Sequence, residues 1–378
     1  MKLLFVGTHR GPGGTESHFV SLSTAMAAAG HEVSALVCPG DYIDGHLASD
    51  GRVRRFAAHF ERPFDGGAMR ALAAAVRATR PDWIVGSFAR EYWPTALIGR
   101  AHGVPVVLFR HVEERFRQQT ARLLPHLVHR IVAPSEFLRE RLVDRGIARS
   151  RTAVVHNPLD TEAYRPDPAR RAEMRARLGF APDDVVVGFA GRLERQKGVH
   201  TLAPALDAAM ACCPNLRALW IGSGKAESDV AGLLADSPYR ERHVRMPWSA
   251  EMPACYAAMD VLAFPSISSE TFGRVSIEAQ ACGVPVLASR TGGVPETLRD
   301  GVTGRLVAAG DVAAWTDALI DAARDVDGRA RMGAAGRAFV RESFDGPRIT
   351  RDFERLLGAA SRVTGHARER RVPAAVER

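Results

Sequence analysis

Residues Phe264–Glu296 read FPSISSETFGRVSIEAQACGVPVLASRTGGVPE, and this stretch decides the fold. A strand ends at Pro265 and a loop of small residues follows. The spacing then predicts a helix from about Thr271 to Cys282, a strand over Val284–Ser289, and a second Gly-rich turn. The run VPVLAS is apolar throughout, as a strand buried on both faces must be. The turn TGG after it lies at the carboxyl edge, where open α/β sheets bind ligands.

Two carboxylates, Glu270 and Glu278, bracket the start of that helix, with Gly273 between them. A helix N-terminus offers unpaired N–H groups and a positive dipole end, which suit an anion. The eight-residue separation spans about 12 Å at the helical rise. That matches the reach from a sugar across a diphosphate to a ribose. Carboxylates accept hydrogen bonds from hydroxyls, so the pair fits a nucleotide sugar. Taken alone, the two Glu also fit capping and a solvated surface.

Outward from this stretch, strands and helices alternate through both halves of the chain, which predicts two doubly wound parallel sheets. Apolar runs at 2–7, 32–38, 82–87, 105–110 and 130–135 are strands of a first domain, residues 1–160. The turn-rich segment NPLDTEAYRPDP is the linker. Runs at 184–191, 216–224, 243–246 and the quoted stretch make a second domain, residues 161–345. A helix over 346–360 follows, and the polar, basic tail 361–378 is expected to be disordered.

The chain has 378 residues, 46% hydrophobic content and a net charge of +8. It contains no apolar run long enough for a transmembrane helix. The run opening MKLLFVGTHRG is too short for a signal peptide. Five Cys without metal-ligand spacing predict neither a metal site nor a disulfide framework, and a reduced cytoplasmic location is expected. The Arg residues are not interleaved with aromatics as in nucleic-acid modules, so no nucleic acid is expected. Only Lys2, Lys197 and Lys225 are lysine, so Lys197 in the Gly-rich loop GRLERQKG hints that a compact point charge is wanted there. Residues 115–130, RFRQQTARLLPHLVHR, carry four Arg, two His and no acid. They suit an anionic membrane surface or an acidic acceptor, or an ordinary amphipathic helix that Pro125 interrupts.

Residues 264–304, with GFAGRLERQKGVHTL upstream, resemble the donor-binding region of retaining glycosyltransferases of family 4. Glu270 and Glu278 meet that family's Glu–seven residues–Glu motif, and Arg192 and Lys197 fall where it places its diphosphate-binding basic pair. The resemblance implies the GT-B architecture, two facing Rossmann-like α/β domains, with the last helix crossing back onto the first domain. It implies donor contacts at Thr271, Phe272, Gly273 and Arg274, at Gly222, and near the base at Trp248. It also implies donor or acceptor contact at Gly13 and Gly14, which equally suit a tight turn, and contact of His111 with the transferred sugar.

The implied reaction is retaining transfer of a hexosyl unit from a UDP- or GDP-sugar, UDP being favoured, without metal or other cofactor. The acceptor would be a glycan, a glycolipid or a small molecule, with envelope polysaccharide synthesis as one setting. Arg192 and Lys197 would stabilise the leaving diphosphate, Glu278 the ribose and Glu270 the sugar. Peripheral contact with the cytoplasmic membrane face stays open. Two rivals share the architecture. A nucleotide-sugar 2-epimerase would use acid/base carboxylates such as Glu91 and Glu113. A two-lobed binding protein would not need the basic pair.

Overall fold

The computed structural model describes residues 1–249 and 251–369, with residues 359–369 given by backbone only. The chain divides between Pro158 and Leu159 into two units, and the segment from Gly346 belongs to the first of them.

The first unit runs β1 (Lys2–Gly7), α1 (Gly14–Ala28), β2 (Glu32–Val37), α2 (Tyr42–Asp50), β3 (Arg54–Ala57), α3 (Gly66–Thr79) and β4 (Trp83–Gly86). It continues through α4 (Tyr92–His102), β5 (Val106–Phe109), α5 (Gln118–Leu127), β6 (Arg130–Ala133), α6 (Glu136–Asp144) and β7 (Thr152–Val154). Its seven strands are all parallel, in the order β3-β2-β1-β4-β5-β6-β7. The order reverses between β1 and β4, so the crevice of this sheet opens where those two strands end. Strands such as LLFV and VVLF are apolar on both faces because helices cover both. One of those helices is α14 (Gly346–Glu369), which puts Ile349, Phe353 and Leu357 into the core beside Phe5 and Phe109.

The second unit runs α7 (Pro168–Leu178), β8 (Val185–Ala190), α8 (Val199–Cys212), β9 (Leu216–Ile221), α9 (Glu227–Ala235), β10 (His243–Met246) and α10 (Met252–Ala258). It is completed by β11 (Val261–Phe264), α11 (Arg274–Ala281), β12 (Val286–Ser289), β13 (Gly304–Val307), α12 (Val312–Arg324) and α13 (Val326–Ser343). The six parallel strands lie in the order β10-β9-β8-β11-β12-β13, and the switch falls between β8 and β11. The ends of this unit are tied together by Leu159 N donating to Phe344 O at 2.9 Å. The chain thus has the expected α/β class, with a doubly wound parallel sheet in each unit.

Four local expectations are corrected. The helix expected from Thr271 starts at Arg274, because Gly273 stands at φ +110°, outside helical space. A helix that the sequence reading did not include, α7, follows the linker at once: Asp167 accepts from Arg170 N and starts it, with Pro168 in the first turn. Pro125 does not interrupt α5 but lies in its last turn, buried beside Leu124. The tail helix passes residue 360 and reaches Glu369, since SRVTGHARE holds no proline; residues 370–378 lie outside the described residues. Among the described residues, no helix is long and apolar enough to cross a membrane.

Candidate functional site

In the second unit the loops after β8, β9, β11 and β12 meet at the carboxyl edge of the sheet. Glycine permits the approach. Gly198 sits at φ +74°, and a Cβ there would lie 1.8 Å from the Pro265 carbonyl oxygen. Gly292 sits at φ +56°, with a Cβ position 2.1 Å from the Glu270 carbonyl oxygen. That same carbonyl accepts from Gly293 N at 2.7 Å. Gly222 packs equally closely on Gly191, its N–H given to Met246 O.

This convergence brings Lys197 and Glu270 together. Lys197 Nζ lies 2.6 Å from Glu270 Oε1, and Ser266 Oγ donates to the same oxygen at 2.5 Å. Both charged side chains are largely buried, at 20% and 16% exposure, and sit where β8 and β11 deliver them. The two expected basic residues have different carboxylate partners. Arg192 is 66% exposed and donates to Glu194 Oε1 at 2.7 Å, while Gln196 Nε2 donates to Glu194 Oε2 at 2.6 Å. Glu194 therefore organises the outer part of the loop, and Lys197 the inner part.

Glu278 forms a second cluster, on α11. Its Oε1 accepts from Arg274 Nε at 2.7 Å, one helical turn away, and its Oε2 accepts from Tyr256 Oη at 2.8 Å. Gly273 and Thr271 stand at the mouth of this helix. The ring of Phe272 turns into the core and packs edge-on against Phe344, 5.6 Å between centroids. Trp248 is 49% exposed, just beyond β10. Sequence reasoning missed Ser266, Tyr256 and Glu194. Ser266 stands inside the quoted stretch, and a polar Tyr amid the apolar residues of α10 was a usable signal. Among the described residues, no group of three or more His, Cys, Asp or Glu is placed to hold a metal ion.

In the first unit His111 follows β5, and its ring stacks on Phe109 (5.8 Å, 8°) and tilts against His18 (4.4 Å, 55°). Its Nε2 is buried without a hydrogen-bond partner. Burial, with the charge of Arg110 beside it, holds the imidazole neutral, pushing its pKa down to about 3. Gly13 precedes α1 in extended backbone, with Glu16 folded back beneath it; Gly14 has open space around it. Of the two carboxylates an epimerase would need, Glu113 is engaged by Arg141 and Arg145. Glu91 is buried, accepts from Thr8 N and Oγ1 at 2.6 Å, and is pushed up to about 7 by desolvation.

The neutral histidines set a pH dependence. Burial lowers His111, His129 (to about 4) and His243, whose Nδ1 accepts from Trp220 Nε1 and whose Nε2 meets Asp207. The unfolded chain protonates all three near pH 6.5, so their contribution is complete above that pH and is lost as pH falls towards the folded values. Glu91 and Glu16 oppose this, because burial raises both and so favours the folded state at low pH. Three lowered histidines against two raised carboxylates predict a melting temperature lower at pH 5 than at pH 7.5. A scan showing equal or higher stability at pH 5 would contradict these burial assignments.

The chain is similar to known proteins in both sequence and fold. Residues 170–339 match the family model "Glycosyl transferases group 1", and residues 12–163 match "Glycosyltransferase Family 4". D-inositol 3-phosphate glycosyltransferase of Mycobacterium sp. (strain KMS) is 35% identical over 249 residues, 62% of this chain and 55% of the relative. The enzyme of the same name from Mycobacterium marinum is 32% identical over 273 residues, 68% of this chain and 56% of the relative. The chain thus spans about half the length of the curated relatives it matches. Among solved structures, Anabaena HepE in complex with UDP and glucose superposes with a TM-score of 0.82 at 24% identity, over 95% of this chain and all of that one. A glycosyltransferase from Rickettsia africae superposes at 0.84 and 16% identity, over 94% of this chain and 97% of that one. At these identities the superpositions speak for the fold alone. Residues 12–163 thus resemble a glycosyltransferase family 4 segment and residues 170–339 a glycosyl transferases group 1 segment, and each match falls largely on one of the two parallel-sheet α/β units.

Proposed function

We propose that the chain transfers a hexosyl unit, with retention of anomeric configuration, from a nucleotide sugar to a hydroxyl acceptor. The observation that carries this reading is the largely buried Lys197–Glu270 pair at the switch point of the second sheet. An ammonium has three donors, so Lys197 can keep Glu270 and still take a phosphate oxygen. As the sugar–phosphate bond breaks, the bonding pair leaves with the diphosphate, and Lys197 meets the charge that develops there. The acceptor oxygen forms the new bond on the same face, and its proton passes to the leaving phosphate. Glu270 then orients the sugar by its hydroxyls, and Glu278 holds the ribose. Arg192 serves the outer phosphate from its exposed position. His111, held neutral, can donate to or accept from a sugar hydroxyl but carries no charge of its own.

A UDP-sugar is favoured over a GDP-sugar, in keeping with the UDP and UDP-glucose complexes of HepE. For the acceptor, the mycobacterial relatives' name points first to a phosphate-bearing polyol. Arg115, Arg117, Arg122 and His126 are exposed around α5, which suits such an acceptor, an anionic glycolipid or the inner face of the cytoplasmic membrane. The test is thermal-shift binding of UDP, GDP, ADP and their sugar conjugates to wild type and Glu278→Ala. One nucleotide at 100 times its Kd should stabilise wild type by about 2.7 kcal/mol and the variant by much less. Stabilisation by none of them, or by all equally in both proteins, would defeat the reading.

A further inference from the structure

Tyr256 lies in α10, on the segment PACYAA, and its side chain is wholly buried. Around it stand Met174, Met259, Leu262 and Ala279, an apolar core in which a phenylalanine would fit as well. A buried phenol needs a hydrogen-bond acceptor, and this one has found a carboxylate. Its Oη donates to Glu278 Oε2 at 2.8 Å, while Arg274 holds Oε1 at 2.7 Å. The two donors come from different elements, α10 and α11. Together they fix both the rotamer and the plane of the carboxylate. Burial and the charge on Glu278 raise the phenol well above its ordinary range, so it stays protonated and acts only as a donor towards Glu278.

A carboxylate held in this way keeps one free lone pair on each oxygen, in a fixed direction. Vicinal hydroxyls are the ligand that uses two such directions at once. We propose that Tyr256 is a positioning residue for the donor ribose: it aims Glu278 so that the carboxylate reads the 2′- and 3′-hydroxyls of the nucleotide as a pair. This rests on the donor-site reading above and adds to it the group that sets ribose recognition. A phenol kept only to satisfy a buried carboxylate would alter stability when removed, but would leave discrimination between ribose and deoxyribose untouched.

The experiment compares UDP with 2′-deoxy-UDP by isothermal titration for wild type, Glu278→Gln and Tyr256→Phe. The ratio of the two affinities is read within each protein, so it does not depend on the fraction folded. Wild type is expected to prefer UDP by about 10- to 100-fold, since a site built for a hydroxyl leaves buried acceptors unpaired when it is missing. Glu278→Gln should lose most of that preference. Tyr256→Phe should reduce it about 5- to 10-fold, while the affinity for 2′-deoxy-UDP stays within about twofold of wild type. Tyr256→Met, which fills the same volume without a donor, should behave as Tyr256→Phe does. A full wild-type ratio in Tyr256→Phe or Tyr256→Met, with Glu278→Gln impaired, would overturn the role of the tyrosine and leave the donor site standing. A wild type indifferent to the 2′-hydroxyl, or a Glu278→Gln that keeps the preference, would overturn both.

Discussion

Replacing Lys197 by alanine is expected to lower kcat/KM for sugar transfer by about 10²–10³-fold, or about 2.7–4 kcal/mol of transition-state stabilisation. Two effects act together. The leaving diphosphate loses the one ammonium held at the switch point of the second sheet. Glu270, at 16% exposure, also loses its ion-pair partner and keeps only the Ser266 hydroxyl, so its side chain is less firmly placed to orient sugar hydroxyls. Arg192→Ala should cost less, within about tenfold, because that side chain is 66% exposed and shares its charge with Glu194. Steady-state kinetics with a UDP-sugar ranks the two. Equal losses would mean that the loop acts as one diffuse charge; no loss at Lys197 would remove it from the mechanism.

Gly198→Ala should be among the most damaging single methyls in the second unit. The backbone there is left-handed, and the new Cβ would sit 1.8 Å from the Pro265 carbonyl oxygen, a backbone atom that can yield only if the loop after β11 moves. Left-handed strain adds about 1–2 kcal/mol and overpacking about 1–3 more, for about 2–5 kcal/mol in all. Gly301→Ala is the control. It has the same φ of +74°, but its Cβ meets nothing within 4 Å, so it should show the strain alone. Urea unfolding of the two variants separates the terms. Because Gly198 follows Lys197 directly, and Ile267 N bonds to Gln196 O at 3.0 Å, the shift should also pull Lys197 off Glu270 and reduce activity in what remains folded. Matching unfolding midpoints for the two variants would show that the loops are not packed as tightly as the glycine implies.

The doubly wound architecture was legible because it is written in whole runs. VVVGFA, LRALWI and VLAS are too apolar for anything but strands covered on both faces. Short elements were not. The strand Gly304–Val307 spans four residues, opens on a glycine and exposes its arginine, and α10 spans seven residues with Pro253 near its start, so neither carries a full period of any pattern. The start of α11 was misplaced by three residues because a glycine at φ +110° reads in sequence like any loop glycine.

The site divides in the same way. Glu270, Glu278 and Lys197 stood out by spacing, and the structure gives each a specific partner. What spacing could not show is who partners whom. Tyr256 reaches Glu278 from 22 residues upstream, through a tertiary contact. Arg192 looked like the twin of Lys197, and the structure pairs it with Glu194, two residues on. In the first unit, position at a strand end singled out His111, but its burial against Phe109 and His18 follows only from packing.

The central claim is that the carboxyl edge of the second sheet holds a nucleoside diphosphate through Lys197. Isothermal titration of UDP into the intact chain, wild type and Lys197→Ala, tests it most directly. One saturable site per chain is predicted in wild type, weakened about tenfold or more in the variant. A wild type that no nucleoside diphosphate saturates, or a variant that binds UDP as tightly as wild type, would contradict it.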